Sequence, residues 1–154
     1  MKSKTDIKLE LSDSERTNLR KNKVKKSDIL EFATDEIEVL LQVSKARAKE
    51  LYALADFQRI PSIGIEFAKD LLFLGYFNIA ELQGKSGAAL TDDYETKKGF
   101  KTDPCVEDQF RLVVDFAMKQ DYSKKWWDFT NERKQYRSEF GYPKHRPKQN
   151  WTEV

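Results

Sequence analysis

Cys105 is the only cysteine in the 154-residue chain, so no internal disulfide can form and no multi-cysteine zinc site is available. The single histidine, His145, leaves little material for imidazole catalysis and lies in a proline-flanked basic tail. No run of about 18 apolar residues exists, which excludes a membrane-spanning helix. The opening MKSKTDIKLE lacks the apolar stretch of a secretory signal, so a reducing cytoplasmic setting is expected and no membrane partner. Phosphate-cradling loops, dinucleotide fingerprints and zinc spacings are also missing. These absences argue against an enzyme, and neither a metal nor another cofactor is expected.

Charge is what the chain has in quantity. Asp, Glu, Lys and Arg make up 35% of it, against about 25% in an average globular chain. The formal net charge of +2 conceals an uneven distribution. Residues 1–60 carry 13 cations and 11 carboxylates, residues 61–118 carry 6 and 10, and residues 119–154 carry 9 and 5. The densest cationic stretch, RTNLRKNKVKK from Arg16 to Lys26, has six basic residues and no acid. It would attract a polyanion through phosphate contact and counterion release. A solvated lysine-rich linker would look the same.

Helical spacing dominates the middle of the chain, and no alternating strands are evident, so the fold class is all-α. The pattern suggests a compact bundle of short helices with basic extended segments at both ends. Residues 1–27 read as an N-terminal arm with one short helix after Ser12, residues 28–140 as the helical domain, and residues 141–154 as an extended tail. Ser44 suits an N-cap, and Asp103-Pro104 is a strong helix start, with Asp capping and Pro at the first position. Lys85 to Thr102 is polar and glycine-bearing, and no element is assigned to it. A last helix is expected after Ser123, bearing Trp126, Trp127, Phe129, Arg133, Tyr136 and Phe140.

Sliding the chain against itself by twenty residues aligns Leu40 with Ile60, Val43 with Ile63, Ser44 with Gly64, Ala48 with Ala68, Leu51 with Leu71 and Leu54 with Leu74. Each copy reads as helix, tight turn, helix, with a small residue where helices cross. The second copy, Ile60-Pro61-Ser62-Ile63-Gly64-Ile65-Glu66-Phe67-Ala68-Lys69, resembles the helix-hairpin-helix motif. In such a turn Gly64 leaves no side chain over the amides that precede a helix, and a helix N-terminus favours an anion. Ser62, Ile63, Gly64, Ile65 and Lys69 are therefore candidate contacts to a sugar-phosphate backbone. Ser44, Lys45, Arg47 and Lys49 are the candidates in the first copy. Backbone contacts of this kind carry no sequence specificity. Glu66 stands against them, because it would repel a polyanion. Both turns could also serve only to knit the bundle.

Three ordered blocks, FQRIPSIGIEFAKDLLFLGYFNIAELQG, TDPCVEDQFRLVVDFA and KKWWDFTNERKQYR, are similar to the bacterial "pathogenicity locus" family of small helix-hairpin-helix proteins. The resemblance spans about residues 56–137, with the DPC and WW elements its most specific parts. It implies a helical fold and DNA association, and mitomycin-resistance labels on some relatives imply a link to DNA damage. The expected function is non-catalytic, sequence-nonspecific DNA binding. The runner-up is a protein-interaction adaptor that uses the same helices.

The remaining chemistry-bearing residues have simpler readings. Cys105 follows a helix cap, where a thiol can be acidified, but no base accompanies it and a packed structural role is expected. Asp103, Glu107 and Asp108 share a helical neighbourhood and fit a cap and a solvated face; Asp92, Asp93 and Glu95 fit an exposed loop. Trp126 and Trp127 cannot both face one core, and with Lys124, Lys125, Arg133, Lys134 and Arg137 they could stack single-stranded bases. Closure of the core by this helix is the competing reading.

Overall fold

The computed structural model describes residues 6–154, and among them the helices are α1 (Asp13–Lys21), α2 (Thr34–Leu41), α3 (Lys45–Phe57), α4 (Ile65–Phe73), α5 (Gly87–Lys98), α6 (Pro104–Lys119) and α7 (Thr130–Phe140). Short 3-10 turns occupy Lys26–Glu31, Ile79–Leu82, Trp126–Phe129 and Trp151–Glu153. The one bridge of β type among the described residues pairs Lys101 with Asn150. The protein is all-α. It divides into two compact units, Met1–Glu81 and Leu82–Val154.

In the first unit, α3 carries most of the core. Ala48, Leu51, Ala53, Ala55 and Phe57 are fully buried on it, and Ile60, Ile63, Ala68 and Leu71 continue that core through the next turn and α4. Small residues at Ala48 and Ala68 leave room for neighbouring helices to approach. Asp56 is buried too; its Oδ2 accepts a hydrogen bond from the Ile79 amide at 2.7 Å. Burial raises its pKa, partly offset by that amide and by Arg59.

The expectation of an arm standing apart from the folded region is corrected for residues 6–27; its first five residues lie outside those described. Ile7, Leu9 and Leu11 are buried while Asp6, Lys8 and Glu10 between them are exposed, the period-2 pattern of an extended strap. No strand among the described residues pairs with it. Its backbone is met instead by a side-chain amide: Gln58 Oε1 accepts from the Lys8 amide at 3.0 Å, and Gln58 Nε2 donates to the Lys8 carbonyl at 2.7 Å. Ser12 then opens α1 with a capping box, its Oγ accepting from the Glu15 amide while Glu15 accepts from the Ser12 amide. Burial of three large apolar side chains offsets part of the cost of ordering this segment.

The second unit is built on α5 and α6. Phe110, Leu112, Val113 and Phe116 are fully buried on α6. Asp103 caps that helix by accepting from the Cys105 amide at 2.9 Å, with Pro104 at the first position. One unassigned stretch gains an element here, and two expectations are corrected. The polar stretch after Lys85 contains α5, capped by Ser86, whose Oγ accepts from the Ala89 amide. Asp92, Asp93 and Glu95 therefore lie on a helix rather than a loop, and Glu95 is only 1% exposed. Glu107 and Asp108, expected on a solvated face, are 2% and 0% exposed.

Arginines account for that burial. Asp108 accepts from Arg133 Nε at 2.6 Å and from Thr130 Oγ1 at 2.8 Å. Glu107 is held by Arg111 Nη2 at 2.8 Å and by Arg137 Nε at 2.9 Å. Arg137 also reaches Asp92 at 2.9 Å. Glu95 accepts from Arg146 Nε at 2.8 Å and from the Thr102 amide at 2.9 Å. Two of these guanidiniums lie over the Tyr142 ring, Arg137 at 4.2 Å and Arg146 at 3.5 Å from its centre. The tail read as extended beyond residue 140 is anchored by Arg146, and again where Lys101 accepts from the Trp151 amide at 2.8 Å and donates to the Gln149 carbonyl at 2.7 Å.

Candidate nucleic-acid interface

The two copies suggested by the twenty-residue offset form corners of the same backbone type. Gln42 (φ 56) and Ser62 (φ 65) take the left-handed conformation, and two residues later Ser44 and Gly64 are the extended N-caps of α3 and α4. The left-handed residue of the second corner is therefore Ser62, and the tight turn expected at Gly64 is corrected. Gly64 sits at φ −102, ψ −172, where any residue fits. What glycine supplies there is open space: a Cβ added to it would meet nothing within 4 Å, and the residue is exposed. Ile63 beside it is fully buried and anchors the turn, and Ile65 is half-buried.

The cations around the corners are not equivalent. Arg47 faces inward, forking onto Glu15 through Nε at 2.9 Å and Nη2 at 3.0 Å. It also donates to the Glu10 carbonyl at 2.9 Å and to Glu50 at 3.3 Å. The guanidinium lowers the pKa of Glu15, and Glu15 raises that of Arg47. Arg47, one of the expected phosphate contacts, fastens the strap and α1 to α3, and its donors already have acceptors. Lys69 lies 2.8 Å from the Glu10 carboxylate and 3.5 Å from Glu66, and Glu10 in particular raises its pKa. The second corner thus offers open backbone beside a lysine shared by two carboxylates.

The first corner differs. Ser44 Oγ caps α3 by accepting from the Arg47 amide at 3.1 Å. Lys45 and Lys49 are exposed, and no carboxylate among the described residues pairs with either. No acid stands in the first turn of α3. Cations at a helix N-terminus oppose the helix dipole, so helix stability gives no reason for Lys45. Lys49 lies 4.5 Å from the centre of the Phe77 ring. Lys45, Ala46, Lys49, Glu50 and Phe77 line an open cleft of about 430 Å³. Phe77 is the residue that sequence reading missed; it stands in an irregular stretch after α4, and no local pattern marks it.

Elsewhere the candidates for other chemistry are accounted for. Burial, and then the Asp103 carboxylate, pushes the Cys105 thiol up, opposite to what a reactive thiolate requires. Arg133 and Arg137 are committed to buried carboxylates, which removes them from any stacking surface. Trp126 is half-buried, while Trp127 is 52% exposed and meets its neighbour edge-on at 5.4 Å. Among the described residues no group of three or more His, Cys, Asp and Glu side chains could hold a metal ion. No helix among them is long and apolar enough to cross a membrane.

Together these features define a small all-helical protein with two like corners twenty residues apart and a carboxylate–arginine core in its second unit. The chain belongs to the Pathogenicity locus family, whose description matches residues 36–135. That span takes in both corners, the DPC start of α6 and the paired tryptophans. No curated protein and no solved structure matches the chain.

Proposed function

We propose that the protein binds nucleic acid non-catalytically and without sequence preference, gripping backbone phosphates at the first corner. The observation that carries this reading is the α3 N-terminus, where Lys45 and Lys49 stand exposed without carboxylate partners among the described residues, beside a helix end that has no acid in its first turn. A helix N-terminus and unpaired lysines both favour phosphate, and neither reads a base edge. In this reading the corners act as helix-hairpin-helix units. The second corner contributes main-chain amides at Gly64 and Ile65, since the Ile63 amide already donates to the Ile60 carbonyl at 3.1 Å, while Lys69 stays largely neutralised by Glu10 and Glu66. DNA is the expected polymer, and a place in DNA repair or damage resistance would follow.

Fluorescence anisotropy at low salt with two labelled duplexes of unrelated sequence tests this. Both should bind with similar affinity, and Gly64→Val should weaken both. The backbone angles and free space at Gly64 permit that substitution to fold, so a loss would reflect a side chain standing over the amides. Binding that distinguishes the sequences strongly, or that ignores Gly64→Val, counts against the grip described. Carboxylates at the second corner favour the second reading, a protein-interaction adaptor, which predicts no duplex binding even at low salt.

A further inference from the structure

We infer that the cleft between the start of α3 and Phe77 receives an unpaired base, so that the preferred polymer is single-stranded. The inference rests on the phosphate-binding reading above and narrows its ligand. The cleft, about 430 Å³, falls within the size range of small-molecule sites, about 300–1,000 Å³. Its walls are Phe77, Ala46 and the stems of Lys45 and Lys49, so it is apolar within and cationic at its rim. Glu50, the one carboxylate in the lining, is turned toward Arg47 at 3.3 Å, which moderates its repulsion of a phosphate.

The position of Lys49 suggests how a base would enter. With no anion present, its ammonium rests over the Phe77 ring at 4.5 Å. An exposed contact of this kind is weaker than stacking of a base on an aromatic ring. An arriving base would displace the ammonium from the ring, and the displaced ammonium would find the adjoining phosphate. A duplex cannot do this without unstacking, because its bases are already occupied with one another. Charge complementarity and an aromatic wall in one cleft are the usual parts of a sequence-tolerant single-strand site.

Anisotropy titrations of the full chain with labelled oligo-dT and with a labelled duplex, at one low salt concentration, test the inference. Phe77→Leu keeps an apolar side chain but removes the ring, and should lower oligo-dT affinity roughly 5- to 100-fold while leaving duplex affinity within about twofold. Phe77→Tyr keeps the ring and should stay close to the parent protein. Unchanged melting curves for both variants separate lost stacking from lost folding. The inference is overturned if Phe77→Leu affects neither polymer or both equally, or if Trp127→Ala abolishes oligo-dT binding instead. In those cases duplex binding can persist and the phosphate reading stands. Absence of binding to either polymer would remove both.

Discussion

Asp108→Ala should destabilise the second unit severely. Asp108 is completely buried and is the acceptor for Arg133 Nε at 2.6 Å and Thr130 Oγ1 at 2.8 Å. Thr130 is half-buried and its hydroxyl can turn to water, but the Arg133 side chain is only 12% exposed and would keep a charge without a counter-charge. Removing one partner of a buried pair costs about 3–5 kcal/mol. For a unit of this length each kcal/mol moves the midpoint by roughly 4–8 °C, so a fall on the order of 12–40 °C is expected. All three tryptophans lie between Leu82 and Val154, so thermal and urea melts followed by tryptophan fluorescence report on this unit. Replacing the pair together, Asp108→Leu with Arg133→Met, should restore most of the loss, because apolar residues of similar volume need no counter-charge. A loss below about 1 kcal/mol for Asp108→Ala, or a double variant no better than the single one, would refute this reasoning.

Three further outcomes follow from the geometry. Gly87→Ala would place a Cβ 2.6 Å from Arg111 Cγ and 2.8 Å from its Cα; because backbone cannot yield, the cost should be about 1–3 kcal/mol in a urea melt, and a neutral result would contradict the close approach of α5 and α6. Glu15 has its pKa lowered by Arg47, so its contribution is complete above the ordinary carboxylate range and is lost as pH falls through the lowered folded value. Amide protection at Lys8 and Ser12, corrected for intrinsic exchange, should therefore decline at acidic pH, and a flat profile would show the strap to be held without this pair. Arg47→Ala should loosen the strap and α1, seen as faster exchange at the same amides, whereas Lys45→Ala should leave exchange unchanged; equal effects would undo the distinction drawn between the two cations.

How much of this was readable beforehand depended on the distance between partners. Ser44 as a cap, Asp103-Pro104 as a start and the twenty-residue offset are local signals, and each is written in residues that touch near neighbours. The helix α5 went unrecognised because its buried stripe, Gly87, Ala88, Thr91, Tyr94 and Glu95, has helical spacing but mixes in polar residues. Glu95 belongs there only because Arg146, far along the chain, neutralises it. The same holds for Asp108, whose partners come from α7, and for Glu107, which adds Arg137 of α7 to its local partner Arg111. At the first corner, Arg47 and Lys45 look alike in sequence. Only Glu15, 32 positions away, makes one of them a structural tie and leaves the other exposed. The alternation Ile7, Leu9, Leu11 was visible, but without a partner strand it gave no sign of being buried.

The salt dependence of duplex affinity, compared between the parent protein and Lys45→Ala/Lys49→Ala, tests phosphate gripping at the first corner most directly. Each lysine that neutralises a phosphate contributes about 0.9 to the slope of log affinity against log salt. The double variant should bind more weakly with a slope shallower by about 1.8. An unchanged slope, or no duplex binding at low salt by the parent protein, would contradict the account.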